Sequence, residues 1–209
     1  MTRTNIPYVD RVWNPIIGCD DPKFNPALLN EPSRWKAPNA VMVCSTTDMF
    51  HESVPCEIIE QIIATMKANP KHSFLVLTKR AHNLSLYHFP TNVMVGVSIE
   101  NRDNMSRLEA LHEVDCYHKW ISFEPLIGDV GPMNLDDIDF VVVGGETGKN
   151  KKLRSCNGIW VRDIYLQCKA KSVPYYFKQY GTYFVADGVD MGSAAFHQKD
   201  LPIIDNPPF

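Results

Sequence analysis

The stretch Phe140–Gly148 reads FVVVGGETG, so a phenylalanine and three consecutive valines run directly into two glycines and a glutamate. An apolar run of this length, rich in β-branched residues, is typical of a strand that is buried on both faces of a parallel sheet. Functional side chains collect at the carboxyl ends of such strands. The stretch therefore predicts a buried parallel strand that ends in functional residues.

The same order, apolar residues first and polar residues last, recurs five more times along the chain. Helical patterns lie between these stretches. One has isoleucines at helical spacing and predicts a helix from about Ser53 to Ala68, with Ser53 as its N-cap. Another predicts a helix over Ile159–Lys171, with Asn157 as its N-cap. Alternation of buried strands with amphipathic helices favours an α/β fold with a parallel sheet. The five further stretches are Val41–Asp48, Phe74–Arg80, Val93–Asn101, Trp120–Pro125 and Val173–Gln179.

Both an open doubly wound sheet and a closed or incomplete barrel show this alternation. We favour a parallel-stranded partial (β/α) TIM-like barrel of about six or seven strands. Nearly every strand ends in polar residues, and no phosphate-binding glycine fingerprint follows the first strand. A chain of 209 residues suits one core. We therefore predict a single domain over 1–209, with an irregular strand and loop at 1–40, β/α repeats at 41–181 and an extension at 182–209.

Composition excludes some classes of protein and favours others. A net charge of −3 gives no general attraction to nucleic acid or to anionic membranes. The sequence has no apolar run of bilayer length, and its start, MTRTNIPYVD, lacks the apolar centre of a secretory signal. We therefore expect a cytoplasmic protein without a membrane partner. The sequence does not indicate an oligomeric state.

If the strands end at one common edge, their polar residues form a mixed-charge site. Close charges shift one another's pKa values and can serve as acid, base or substrate clamp. For each residue the alternative is a structural salt bridge or turn. The candidate catalytic residues are Glu100, Glu124, Glu146, Lys79 and Lys178. The candidate cofactor-binding residues are Ser98, Asn101, Ser122, Gly144, Gly145, Asp48 and Arg80.

A series of motifs from about Trp13 to Gly181 is similar, in the same order, to the phage Gp37/Gp68 family, also called DUF5131. The motifs include WNPIIGC, LNEPSRW, VCSTTDMFHESVP, VGVSIEN, WISFEPLIGDV and VVVGGETG. The resemblance implies a radical-SAM-like partial barrel. In such a barrel three cysteines hold a [4Fe-4S] cluster, and the open iron position binds S-adenosylmethionine.

The sequence departs from the family pattern at the cluster motif. Cys19 stands at the first cysteine position, but the Cys-x-x-Cys segment that follows in the family is missing before Leu29. A cubane cluster needs three or four thiolates. We therefore expect that the cluster is absent and that Cys19 is the remaining metal-ligand position. Substitution by Cys44 and Cys56 would need a geometry that the family does not use.

Three functions stay open at this point. The first is a radical-SAM-like protein of unknown substrate, a shortened member without a competent cluster site. The second is a non-catalytic barrel that either binds S-adenosylmethionine or another small nucleoside ligand or has a regulatory role. The third is a cofactor-free acid-base enzyme that uses one of the glutamates with a lysine. A nucleic-acid partner is suggested by the phage context of the family, although no basic stripe with interleaved aromatic residues occurs.

Overall fold

The computed structural model describes residues 9–18, 20–149, 152–182 and 184–185. Cys19 and nearly all of the predicted C-terminal extension lie outside these residues. The chain divides into two compact units. The first unit holds the described residues up to Val97 together with Ala110–Lys119, and the second holds Ser98–Glu109 and the described residues from Trp120 onward.

The described residues form strands, α-helices and short 3₁₀ helices in chain order. The strands are β1 Arg11–Trp13, β2 Ile16–Ile17, β3 Lys23–Phe24, β4 Ala40–Val43, β5 Ser73–Thr78, β6 Val93–Ser98, β7 His118–Phe123, β8 Phe140–Gly144, β9 Cys156–Asn157, β10 Tyr175–Gln179 and β11 Phe184–Val185. The α-helices are α1 Glu31–Arg34, α2 Cys56–Lys67, α3 Ser106–His112 and α4 Gly158–Lys171. The 3₁₀ helices are Pro26–Asn30, Ala81–Leu86 and Arg102–Asn104.

In the first unit the strand order is β1-β4-β5-β6, and the neighbouring strands are parallel. Val41 of β4 lies opposite Arg11 of β1, and Phe74 of β5 lies opposite Val93 of β6. Parallel pairing brings the carboxyl ends of these strands to the same edge of the unit. The residues that follow β4 and β5 are therefore neighbours.

In the second unit the strand order is β7-β8-β10, again with parallel pairing. The three valines of β8 are fully buried, as the apolar run in Phe140–Gly148 predicts. Trp120 of β7 stacks on Phe140 of β8, with ring centroids 5.0 Å apart. The residues that follow β7 and β8, and those at the end of β10, consequently lie at one edge of this unit.

The fold class predicted from the sequence, an α/β parallel-stranded partial barrel of six or seven strands, is confirmed. The first unit contributes four strands and the second contributes three, which makes seven. Within each unit, every described pairing between these strands is parallel. The single-domain assignment stays a prediction. Among the described residues, no helix is both long and apolar enough to span a membrane.

Two helix starts show what local sequence does and does not specify. Asn157 is the N-cap of α4, as its type predicts, and its side chain accepts a hydrogen bond from the Ile159 N–H at 2.8 Å. The predicted start at Ser53 is wrong, since α2 begins at Cys56. Ser53 lies in a turn instead, where its hydroxyl is 2.8 Å from His51 Nδ1.

Candidate functional site

The strand-end site of the second unit is centred on an ion pair between Glu124 and Lys178. Glu124 directly follows β7, and Lys178 lies near the end of β10. The Oε1–Nζ distance is 2.9 Å, and about a fifth of each side chain is exposed, 21% for Glu124 and 19% for Lys178. The two charges are thus partly withdrawn from water and remain within reach of a ligand.

Gly144, the last residue of β8, makes room for the Glu124 side chain. A Cβ atom at this position would lie 2.6 Å from Glu124 Oε1 and 2.9 Å from its Cγ. Gly145 meets the backbone instead, because a Cβ there would overlap the Tyr180 carbonyl. Its N–H donates to the Gln179 carbonyl at 2.8 Å. The two glycines therefore have different roles: the first accommodates a charged side chain, and the second joins β8 to β10.

Glu100 is held by Arg107 of α3. The Arg107 Nη1 lies 2.7 Å from Glu100 Oε2 and 2.6 Å from the Ser98 carbonyl. Ser98 also contacts the central pair, because its hydroxyl donates to the backbone carbonyl of Glu124 at 2.9 Å. The end of β6 is in this way joined to the residue that carries the central carboxylate. Ser98, Glu100, Glu124, Gly144 and Lys178, together with Arg107, make up the strand-end site.

Glu146 is engaged by Arg154. Its carboxylate accepts hydrogen bonds from the Arg154 guanidinium at 2.8 and 3.0 Å and from the Arg154 N–H at 2.8 Å. These contacts lower the pKa of Glu146 to about 2. A carboxylate with so low a pKa is a weak proton acceptor at neutral pH. Through these contacts with Arg154, Glu146 stabilises the loop after β8. The contacts give no support to its predicted catalytic role, which stays a prediction.

Two further predicted ligand-binding residues make local backbone contacts. Asn101 Oδ1 accepts a hydrogen bond from the Asp103 N–H at 3.1 Å and caps the 3₁₀ helix that starts at Arg102. Ser122 is 1% exposed within β7, and its carbonyl accepts from the Ile99 N–H at 2.9 Å. Both residues help to shape the strand ends, and their binding roles stay predictions.

The remaining predicted residues form a separate cluster in the first unit. The Asp48 carboxylate accepts hydrogen bonds from the Thr78 hydroxyl at 2.8 Å, the Lys79 N–H at 3.1 Å and Arg80 Nη1 at 3.1 Å. Arg80 Nε also donates to Glu52 Oε2 at 2.7 Å. Asp48 thus joins the loop after β4 to the end of β5. Most of the hydrogen bonds that the Asp48 carboxylate can accept therefore come from groups of the protein itself.

Sequence reasoning found the glutamates of the second unit but missed the arginines that partner two of them. The predicted residues brought together at the strand ends of this unit are Ser98, Glu100, Asn101, Ser122, Glu124, Gly144, Gly145, Glu146 and Lys178, whereas Asp48, Lys79 and Arg80 lie together in the first unit. Arg107 follows Glu100 by seven residues and lies on the next α-helix, which is the one sequence signal that could have identified it.

The described thiols do not fit an iron–sulfur cluster. Within the described part of the chain, no group of three or more histidine, cysteine, aspartate or glutamate side chains is arranged to hold a metal. Burial raises the pKa of Cys44 and of Cys168 to about 12 and that of Cys156 to about 11. Cluster ligands are thiolates, and these environments oppose thiolate formation. Cys19 lies outside the described residues, so the expected loss of the cluster stays a prediction.

The comparisons with known proteins identify the family. No curated protein and no solved structure matches the chain at a significant level. The family model described as "Protein of unknown function (DUF5131)" matches residues 20–200, which is most of the chain. The chain belongs to the DUF5131 family.

Proposed function

We propose that this protein is a radical-SAM-like barrel that binds a small nucleoside-type ligand, with S-adenosylmethionine as the leading candidate, and performs no cluster chemistry. The observation that carries the proposal is the largely buried Glu124–Lys178 pair at the carboxyl ends of parallel strands. Glu124 Oε1 and Lys178 Nζ lie 2.9 Å apart, and Gly144 leaves room for the Glu124 side chain. Ligands of α/β proteins bind at this end of the strands.

The charges of the pair suit a ligand with both an ammonium and a carboxylate group. Withdrawing two charges from water is costly, and a partly buried ion pair is weak evidence for a purely stabilising role. A ligand can replace the contact within the pair by two contacts of its own, its ammonium to Glu124 and its carboxylate to Lys178. The amino acid part of S-adenosylmethionine has both groups.

The proposal includes no iron–sulfur step because the described thiols do not fit one. The radical-SAM-like descent rests on the family resemblance alone. A protein reconstituted anaerobically with iron and sulfide should therefore stay colourless. A brown protein with cluster absorbance would overturn the claim that the cluster is lost, and it would leave the ligand site in place.

The same pair supports a second candidate, a cofactor-free acid-base enzyme. Glu124 Oε1 and Lys178 Nζ lie within hydrogen-bond distance, so a proton can pass between them or to a substrate. Glu146 is unsuited to this role because of its low pKa. The hypothesis requires a glutamate with a lysine partner, and Glu124 has one in Lys178, so we centre it on Glu124. A pH–rate profile that disappears in the Glu124→Gln variant would support this candidate over the binding protein.

Calorimetric titration of the purified protein with S-adenosylmethionine, S-adenosylhomocysteine and adenosine tests the binding function. We expect Glu124→Gln and Lys178→Met to weaken binding of S-adenosylmethionine by tenfold or more, about 1.4 kcal/mol. The matched control is Lys171→Met, because Lys171 forms an ion pair of similar length with Asp136, 3.0 Å, on the exposed surface of the same unit. Absence of heat with all three compounds, or equal binding by all variants, would refute the proposal.

A further inference from the structure

Arg107 is a charged residue for which sequence reasoning offered no role, and the structure directs it at the strand-end site. It lies on α3 with 21% of its side chain exposed. One nitrogen, Nη1, contacts two acceptors, the Ser98 carbonyl at 2.6 Å and Glu100 Oε2 at 2.7 Å. Hydrogen bonds between charged partners are short and strong. Arg107 therefore holds the last residue of β6 and the carboxylate two residues beyond it.

Ser98 carries this restraint from β6 to Glu124. Its side chain is buried, and its hydroxyl donates to the Glu124 carbonyl at 2.9 Å. Two residues after Glu124, the N–H of Leu126 donates to the Gly144 carbonyl at 2.8 Å. The backbone that follows the Glu124 side chain is thus tied to two neighbouring strand ends, those of β6 and β8. Small displacements of such backbone move a carboxylate out of hydrogen-bond distance.

The Glu100 contact gives Arg107 a second, electrostatic effect. The Glu100 side chain is 10% exposed, and the guanidinium neutralises its charge at 2.7 Å. Withdrawing a carboxylate from water is costly, and an ion pair at this distance offsets part of that cost. Arg107 thus contacts Glu100, while Lys178 contacts Glu124 at 2.9 Å.

We propose that Arg107 is a positioning residue of the strand-end site, which acts through Ser98 to hold Glu124 against Lys178. The inference rests on the site assigned above, but it concerns the protein without any ligand. The competing explanation is that Arg107 only closes the end of β6 and that Glu124 would meet Lys178 without it.

Chemical acetylation of the ligand-free protein distinguishes these explanations. Trace labelling with acetic anhydride followed by peptide mass spectrometry reports the reactivity of each lysine. We expect Ser98→Ala to raise the acetylation rate of Lys178 by about threefold to fivefold, the factor that corresponds to loss of a partly exposed ion pair. Lys171, paired with Asp136 on the surface, is the control within the same molecule and should not change.

Arg107 itself is tested together with Glu100, because Arg107→Met alone would remove one charge of a largely buried ion pair and destabilise the fold for that reason. The double variant Arg107→Met with Glu100→Gln removes both charges and should raise Lys178 reactivity as Ser98→Ala does. In a Glu124→Gln background neither change should have a further effect, since the carboxylate that they position is gone.

Unchanged Lys178 reactivity in either the Ser98→Ala variant or the double variant would overturn the proposal. So would an equal increase with and without the Glu124→Gln substitution, because the effect would then not pass through Glu124. Failure of S-adenosylmethionine to bind would count against the proposed function alone, since this experiment uses no ligand.

Discussion

Alanine substitutions at the adjacent residues Gly144 and Gly145 should differ in how much they destabilise the fold and in how they affect the strand-end site. At Gly144 the added methyl group meets the Glu124 side chain, 2.6 Å from Oε1 and 3.0 Å from Cδ. A carboxylate at the end of a flexible side chain can rotate away, so the fold should survive while the contact with Lys178 is lost. At Gly145 the methyl group overlaps the Tyr180 carbonyl, and backbone cannot rotate away.

The two costs follow from these contacts. Overpacking costs about 1–3 kcal/mol, and replacing glycine within a strand returns about 0.5–1 kcal/mol, so Gly144→Ala should lower the unfolding free energy by roughly 1 kcal/mol. Gly145→Ala must separate β8 from β10 where the Gly145 N–H donates to the Gln179 carbonyl at 2.8 Å. Its cost should exceed about 3 kcal/mol.

Urea denaturation followed by circular dichroism measures both costs, and acetylation of Lys178 measures the state of the site. We expect Gly144→Ala to unfold close to wild type with a more reactive Lys178. We expect Gly145→Ala to unfold at a much lower urea concentration or to fail to fold. Equal destabilisation by the two substitutions would refute this reasoning, and so would a Gly144→Ala protein in which Lys178 is as protected as in the wild type.

Three further predictions concern the first unit. Asn92 is 7% exposed, and its Nδ2 lies 3.0–3.3 Å from three backbone carbonyls. Asn92→Ala should therefore lower the unfolding free energy by about 2–4 kcal/mol, measured by urea denaturation. The control Asn83→Ala removes one partly buried hydrogen bond and should lower it by about 1 kcal/mol. Asp48→Asn should cost about 2 kcal/mol in the same assay, because the amide NH2 that replaces one carboxylate oxygen cannot accept the hydrogen bonds that this oxygen accepts, and the negative charge opposite Arg80 is lost. An unchanged midpoint would contradict the structural role of Asp48. Burial lowers the pKa of His72, whose Nδ1 accepts a backbone N–H and whose Nε2 meets a backbone carbonyl. The unfolded chain therefore binds a proton before the folded protein does, so the unfolding free energy should fall as pH drops below about 6.5 and level off below the folded pKa. The His72→Gln variant should lose this part of the pH dependence, and a wild-type protein equally stable at pH 7 and pH 5 would contradict the assignment.

Where a structural feature depends on neighbouring residues in the chain, the sequence predicted it well. Val141–Val143 form a fully buried strand because a continuous apolar run has no polar face to expose to water. Asn157 caps α4 because its side chain reaches an N–H two residues ahead. The start of α2 was missed because the Ser53 hydroxyl forms a hydrogen bond with His51 in a turn. Such a contact competes with helix capping, and the spacing of apolar residues does not reveal it.

The sequence by itself determined the parallel α/β class, the succession of buried strands and the acidic residues at their ends, because these depend on residue type and local spacing. Only the tertiary structure decided which cation each carboxylate meets: Arg107 for Glu100, Lys178 for Glu124 and Arg154 for Glu146. These partners are 7, 54 and 8 residues apart in the chain, as their numbers show. The physical reason is that an ion pair acts over a few ångströms, and strand register and loop path decide which charges come that close.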